Sequence, residues 1–171
     1  AMAARESSYL SWTIALAVAV IVADQVTKWL ILDLMQPPRV IEITGFFNLV
    51  LAFNRGVAFS FLASDLSWKP YLLAGIAILV SIALTVWVAR QKDKLLALAG
   101  GAIVGGALGN AIDRFTQPGV VDFIDFHAMG YHWPAFNVAD SFIVCGVVVL
   151  VWDGLFNGPN QRKITTEVKS E

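Results

Sequence analysis

Four stretches of the chain are long and apolar enough to cross the hydrocarbon core of a bilayer, which takes about 20 mostly apolar residues in a helix. They cover approximately residues 12–34, 71–89, 95–112 and 139–156. Of the 171 residues, 57% are apolar and only 15% are charged, whereas about a quarter are charged in soluble domains. The sequence therefore predicts an α-helical membrane protein with four transmembrane helices.

Charge and cysteine content exclude other classes. The formal net charge is −1, so there is no basic field to bind nucleic acid by counterion release. Cys145 is the single cysteine and cannot form an intramolecular disulfide. It lies in the fourth predicted span, where we expect a small buried hydrophobic side chain rather than a nucleophile.

A cleavable signal peptide is an alternative for the first span, because Ala17-Val18-Ala19 resembles a small-residue cleavage site. The apolar pattern continues to Leu32, which makes a full span of what would otherwise be a short hydrophobic region. We therefore expect a transmembrane helix here.

Basic residues predict the orientation, since they are retained on the cytoplasmic side. They cluster between spans two and three and after span four, at Arg90, Lys92, Lys94, Arg162, Lys163 and Lys169. Both termini are then cytoplasmic, and the longer connections at about 35–69 and 113–138 face outward. Residues 1–158 are expected to form one integral-membrane domain, followed by a polar, disordered cytoplasmic tail at 159–171.

The first outer connection has the alternation of a β-strand. Apolar side chains occupy every second position from Phe47 to Phe53, which is strand periodicity. Asn54-Arg55-Gly56 supplies a turn before the apolar residues 57–61, so we predict a hairpin at the membrane surface. Trp68, Tyr131 and Trp133 suit the interfacial aromatic belt.

Acidic residues inside or beside the spans need compensation, because they are costly in a membrane. Asp24 and Lys28 are four residues apart, with the acid first, which favours an ion pair on one helix face. We interpret them as a structural pair, with a direct catalytic role as the alternative.

The third span carries two rows of small residues. Gly101, Gly105 and Gly109 form one row, and Ala102, Gly106, Asn110 and Arg114 form the other. Such rows allow close approach of another helix. The same surface carries Asn110, Asp113 and Arg114 at its outer end, so these polar groups should point into the bundle.

Asp122 and Asp140 lie at the outer rim in separate segments. Taken alone, Asp122 is explained as an exposed acid on a surface strand and Asp140 as a helix cap. Together they predict a carboxylate pair in a poorly solvated cleft, where one pKa rises and the pair shares a proton. This is the chemistry of aspartic peptidases.

Other chemistries have weaker support. His127 and His132 with Asp125 match no standard zinc spacing. Ser60 and Ser141 have no obvious histidine or lysine base.

Five blocks in order make the chain resemble a known family, the lipoprotein signal peptidases or bacterial type II signal peptidases, which are aspartyl intramembrane peptidases. The blocks are Asp24-Gln25 with Lys28, residues 54–59, residues 105–110 with Asp113-Arg114, residues 120–123, and residues 136–140. The resemblance implies four transmembrane helices, a small extracytoplasmic β-sheet that cradles the substrate, and a short interfacial helix.

The resemblance also implies the site and the reaction. Asp122 and Asp140 correspond to the catalytic pair. Seven residues match positions that line the pocket or support the pair, with Asp24 and Asp113 as structural acids: Asp24, Asn54, Gly56, Asn110, Asp113, Arg114 and Asn137. The implied reaction is hydrolysis of the peptide bond before the diacylglyceryl-modified cysteine of a prolipoprotein, without metal or other cofactor. A monomer in the bacterial cytoplasmic (inner) membrane, in contact with its lipid, is expected.

Two other functions stay open from the residues alone. Four spans with buried acids also describe a small proton-coupled transporter. Transport favours acids near the midplane and short loops, whereas these acids gather at one rim beneath long segments. A purely structural membrane subunit is the third possibility.

Overall fold

The computed structural model describes residues 2–56 and 67–156, with side chains from residue 9 onward. Its helices are α1 (Met2–Leu34), α2 (Lys69–Val88), α3 (Lys94–Thr116) and α4 (Val138–Phe156). Its strands are β1 (Ile41–Thr44), β2 (Phe47–Asn54), β3 (Val120–Ala128) and β4 (Tyr131–His132). Each helix contains a stretch long and apolar enough to span a membrane, which confirms the four predicted spans.

The helix ends follow local chemistry. Asp93 caps α3 by accepting hydrogen bonds from the amides of Leu95 and Leu96, and Pro70 lies in the first turn of α2, where its missing amide costs nothing. Helix α3 continues past the predicted end at residue 112 to Thr116. Asp113 and Arg114 are therefore helical.

Helix α3 is the centre of the bundle and contacts the other three helices. About two thirds of its membrane-spanning stretch is buried (67%), against 11% for α4. A Cβ on Gly105 would lie 2.7 Å from the Ala17 carbonyl oxygen of α1, and one on Gly106 would lie 2.5 Å from the Ala139 carbonyl oxygen of α4. The predicted packing role of the small residues is thus confirmed, and the two rows approach different helices.

The sheet has the order β1-β2-β3-β4 with antiparallel pairing throughout. The predicted strand at 47–53 is confirmed as β2. It forms its hairpin with the preceding strand β1 and also pairs with β3. The predicted partner, residues 57–61, lies outside the described residues.

The sheet rests on the end of α1. Ile31 of that helix and Met35, which directly follows it, form a buried cluster with Phe123 of β3, and Leu49 and Leu51 of β2 pack against it. The sheet therefore joins the bundle at the end where α1 and α3 finish and α4 begins.

One burial prediction was wrong. Cys145 is exposed, because α4 turns Ala139 and Gly146 toward the bundle and position 145 away from it. The short interfacial helix is not among the elements of the described ranges, and the predicted tail at 159–171 lies outside them.

Candidate active site

Asp122 lies in the middle of the sheet, on β3 opposite Ala52 of β2, and is only 2% exposed. Its Oδ1 accepts a hydrogen bond from Asn137 Nδ2 at 2.7 Å. Burial, and next the charge of Asp140, raise the pKa of Asp122 to about 6, although hydrogen bonds from the side chains of Asn54 and Asn137 oppose this. Asp122 is therefore a buried carboxyl group rather than an exposed acid on a surface strand.

Asp140 lies in the first turn of α4. Its Oδ1 accepts from Asn110 Nδ2 at 2.8 Å, and its Oδ2 accepts from the Asn137 amide at 3.2 Å. In return, the Asp140 amide donates to Asn137 Oδ1 at 2.9 Å. This reciprocal arrangement is a capping box, so the capping interpretation is confirmed and also fixes the orientation of the carboxylate.

Asn137 connects the two acids. It is fully buried, with Nδ2 on Asp122 and Oδ1 on the Asp140 amide. The same Nδ2 also lies 3.1 Å from Asn110 Oδ1. Asn137 thus binds Asp122 with its side chain and the Asp140 carboxyl group with its backbone amide, and so links the carboxyl groups of Asp122 and Asp140, here called the acid pair.

Asn54 and Arg114 flank the acid pair. Asn54 Oδ1 accepts from the Gly56 amide at 2.9 Å, and Gly56 has a φ of +81°, which glycine adopts without strain. This turn holds Asn54 at the end of β2, near Asp122. Arg114 donates to the Asn110 carbonyl oxygen at 2.9 Å, and the charges of Asp113, Asp140 and Asp122 act on its guanidinium group.

Asp24 and Asp113 lie one step further from the pair. Asp24 Oδ1 accepts from the Ala139 amide at 2.9 Å, and Asp113 Oδ2 accepts from the Val121 amide at 2.9 Å. Each acid therefore holds the backbone just before one member of the acid pair. All nine residues predicted for the site lie in this one region.

Two polar residues of α1 were not predicted as part of the site. Lys28 pairs with Asp24, as expected, but it also reaches Asp113 at 2.8 Å. Gln25 Nε2 donates to Asp113 Oδ1 at 2.9 Å and to the Gly109 carbonyl oxygen at 3.2 Å. Both residues lie within about one helical turn of Asp24 on α1, and this proximity to a buried acid is the sequence signal that could have placed them in the site.

The histidines of β3 and β4 form a separate group. His132 Nδ1 lies 2.9 Å from Asp125 Oδ1, and the rings of His127 and His132 stack with centroids 5.0 Å apart. The hydrogen bond from His132 holds the pKa of Asp125 below its usual value. Within residues 2–56 and 67–156, no three histidine, cysteine or acidic side chains converge as a metal-binding group.

The fold and the site define a multi-pass membrane protein with a buried pair of carboxyl groups at one end of its bundle. Residues 16–156 match the family model described as signal peptidase (SPase) II. The chain belongs to this family, and it is a peptidase.

Named relatives agree with the family match. The chain is 45% identical to a lipoprotein signal peptidase of Azoarcus sp. (strain BH72), covering 92% of this chain and 90% of the relative. It is 49% identical to the lipoprotein signal peptidase of Ralstonia nicotianae, covering 82% of each, and 43% identical to that of Francisella tularensis subsp. novicida, covering 82% and 89%.

Solved structures share the fold. A bacterial membrane enzyme structure determined by the in meso method at 1.9 Å is 36% identical, with a TM-score of 0.72 and coverage of 81% of this chain and 89% of that one. A second, at 2.3 Å, is 35% identical, with a TM-score of 0.75 and coverage of 87% and 90%. None of these similarities supports the transporter alternative.

Proposed function

We propose that this chain hydrolyses the peptide bond before the diacylglyceryl-modified cysteine of prolipoproteins and so releases their signal peptides. The observation that carries the proposal is the acid pair, in which Asp122 and Asp140 are joined through Asn137 in a family of signal peptidases. The names of the relatives support the substrate.

The proposed reaction is direct attack by water. One carboxylate of the pair takes a proton from the water as its oxygen attacks the scissile carbonyl carbon. The other acid, which is protonated, donates a hydrogen bond to the developing oxyanion. When the C–N bond breaks, a proton passes to the leaving amine of the cysteine, and the signal peptide keeps the new carboxyl group. The raised pKa of Asp122 favours a pair that still holds one proton at about pH 6.

The supporting residues have proposed roles in this scheme. Asn110 and Asn137 orient the two carboxyl groups through the hydrogen bonds described above. The side chain of Asn54 forms a further hydrogen bond to Asp122. Arg114 supplies a positive charge to a site that concentrates carboxylates. Gly56 permits the turn that presents Asn54. Asp24 and Asp113 fix the backbone before the acid pair.

The proposed location is the bacterial cytoplasmic (inner) membrane, with both termini in the cytoplasm and the acid pair at the outer face. The basic link between α2 and α3 supports this orientation, since the sheet joins the opposite end of the bundle. A substrate whose signal helix and lipid tails stay in the bilayer can then bring its scissile bond to the rim. A monomer contains every residue of the site.

The test is cleavage of a prolipoprotein by the purified protein, with and without the diacylglyceryl group and with a chelator present. We expect cleavage of the lipidated form only, unaffected by chelation. Asp140→Asn should stay folded in the membrane and lose activity, while Asp33→Asn, at an exposed position of α1, should cleave like the parent. Equal cleavage of unlipidated substrate would refute the substrate, and substantial turnover by Asp140→Asn would refute the acid pair.

A further inference from the structure

Lys28 places one ammonium group inside the bundle. Its side chain is only 3% exposed, and its Nζ lies 2.7 Å from Asp24 Oδ2, 2.8 Å from Asp113 Oδ2 and 3.0 Å from Asn110 Oδ1. The ammonium donates hydrogen bonds to Asp24 and Asn110 and forms an ion pair with Asp113. One positive charge thus contacts both buried acids.

Each of the two acids bound to Lys28 also holds a backbone amide. Asp24 binds the amide of Ala139, the residue before Asp140, and Asp113 binds the amide of Val121, the residue before Asp122. Two connections of the same form thus lead from one ammonium to the two members of the acid pair. The third acceptor, Asn110, itself donates to Asp140.

Electrostatics make the ammonium necessary for this arrangement. Asp24 and Asp113 are buried carboxylates that both lie within hydrogen-bond distance of one nitrogen atom, and like charges so placed repel strongly at low dielectric. A buried charge left without its partner is strongly destabilising. Without Lys28, the two acids would have to separate or take up protons, and each change would loosen their bonds to Ala139 and Val121.

We propose that Lys28 is a positioning residue that sets the separation of Asp122 and Asp140 by holding Asp24 and Asp113 to one ammonium. The proposal rests on the proposed function of the acid pair. It goes beyond a local ion pair on α1, because it assigns Lys28 a role in the reaction through residues of α3, β3 and α4.

The test compares Lys28→Met and Lys28→Arg in the purified full chain with lipidated prolipoprotein. A displacement of about 1 Å can cost about 100-fold in rate, so we expect Lys28→Met to lower kcat by about that factor with KM changed by less than about threefold. The alkaline limb of its pH–rate profile should move to higher pH, since the charge of Lys28 lowers the pKa of Asp122 and its removal lets that acid keep its proton to higher pH. The facing groups Asp24, Asp113, Asp140 and Arg114 are not substituted in either variant. Lys28→Arg keeps the charge and should recover activity in part, with the alkaline limb near that of the parent.

A structural readout accompanies the kinetics. Amide exchange in segments 120–123 and 137–141 should rise in Lys28→Met, because the bonds to Val121 and Ala139 loosen. Asp93→Ala is the matched control: it removes the cap at the far end of α3 and should lower the Tm without moving the pH profile.

A second variant allows for failure of Lys28→Met to fold. The triple variant Asp24→Asn, Lys28→Met, Asp113→Asn keeps amide oxygens as acceptors and contains no buried unpaired charge, and it should still be slow. The proposal is overturned if either Lys28→Met or the triple variant has the kcat and pH profile of the parent, or if both fail to fold. Failure of the proposed function is distinguishable, because the parent itself would then not cleave the lipidated substrate.

Discussion

Replacing Asp122 by asparagine keeps the shape of the side chain and removes its charge. Burial, and next Asp140, raise the pKa of Asp122 from 3.8 to about 6, so near pH 7 the folded protein contains a carboxylate that folding disfavours. We expect Asp122→Asn to be inactive, since one member of the acid pair is lost, and yet more stable than the parent at pH 7.

The magnitude follows from the pKa. At about 1.36 kcal/mol per pKa unit, the difference between 3.8 and about 6 amounts to about 3 kcal/mol at pH 7. The new amide must direct its Nδ2 at a hydrogen-bond donor of Asn54 or Asn137, which offsets about 1 kcal/mol. The expected net gain in the free energy of unfolding is therefore about 2 kcal/mol.

The sign of the pH dependence is fixed by linkage. Because the folded state of the parent binds the proton more tightly, protonation of Asp122 favours folding. That stabilisation is fully present below pH 3.8 and is lost as the pH rises through about 6. The asparagine side chain of the Asp122→Asn variant does not titrate, so the variant has no such loss at high pH. Its gain in the free energy of unfolding over the parent should therefore fall from about 2 kcal/mol at pH 7 to about zero at pH 4.5.

The assay is thermal unfolding in detergent at pH 7 and pH 4.5, together with cleavage of lipidated prolipoprotein. For a chain of this size, about 2 kcal/mol corresponds to a rise of about 4–8 °C in Tm. Asp33→Asn, at an exposed position, is the control and should show no difference that depends on pH. A Tm gain equal at both pH values, or none at pH 7, would refute the reasoning.

Three further outcomes are expected. Gly109→Ala should lower kcat by at least about tenfold, because its Cβ would lie 2.7 Å from Asp24 Oδ2. Gly75→Ala, whose Cβ would have no atom within 4 Å, should leave cleavage unchanged and Tm equal or higher. Equal activity of the two variants would contradict this. Asn137→Ser should keep the cap of α4 and so lower the Tm less than Asn137→Ala, yet lose activity as fully; a rate for the serine variant close to that of the parent would show that the amide bond to Asp122 is dispensable. In the parent, kcat/KM should decline above about pH 6, since Asp122 then loses the proton that the proposed pair shares; a profile flat from about pH 5 to about pH 8 would contradict that titration.

Hydropathy was sufficient to predict the four helices, because lipid permits few alternatives for an apolar stretch of that length. The buried position of the polar groups on α3 was also predictable, since the rows that end at Asn110 and Arg114 must face a helix. Alternation predicted β2, because one face of that strand covers the end of α1. These features depend on patterns that are local in sequence.

The remaining features depend on contacts between distant segments. Strand β1 is only four residues long, and although its residues alternate, so short a stretch did not identify it as the partner of β2. Cys145 stands among apolar residues of α4, and only the rotation of that helix determines that it faces outward. The choice of Asp113 as a second partner for Lys28 depends on how closely α1 and α3 approach, which glycines permit but no spacing specifies.

The arrangement of the acids explains why so many polar groups are buried together. The members of the acid pair lie on different elements, and backbone hydrogen bonds between Phe136 and Ile124 hold the chain just before α4 beside β3. Within that frame, Asn137 binds the Asp122 carboxyl group with its side chain and the Asp140 carboxyl group with its backbone amide. A buried polar network is stable only when its members are satisfied. The separation of the two carboxyl groups is thus specified by the same hydrogen bonds that make their burial tolerable, so removal of one supporting residue should impair cleavage and stability together.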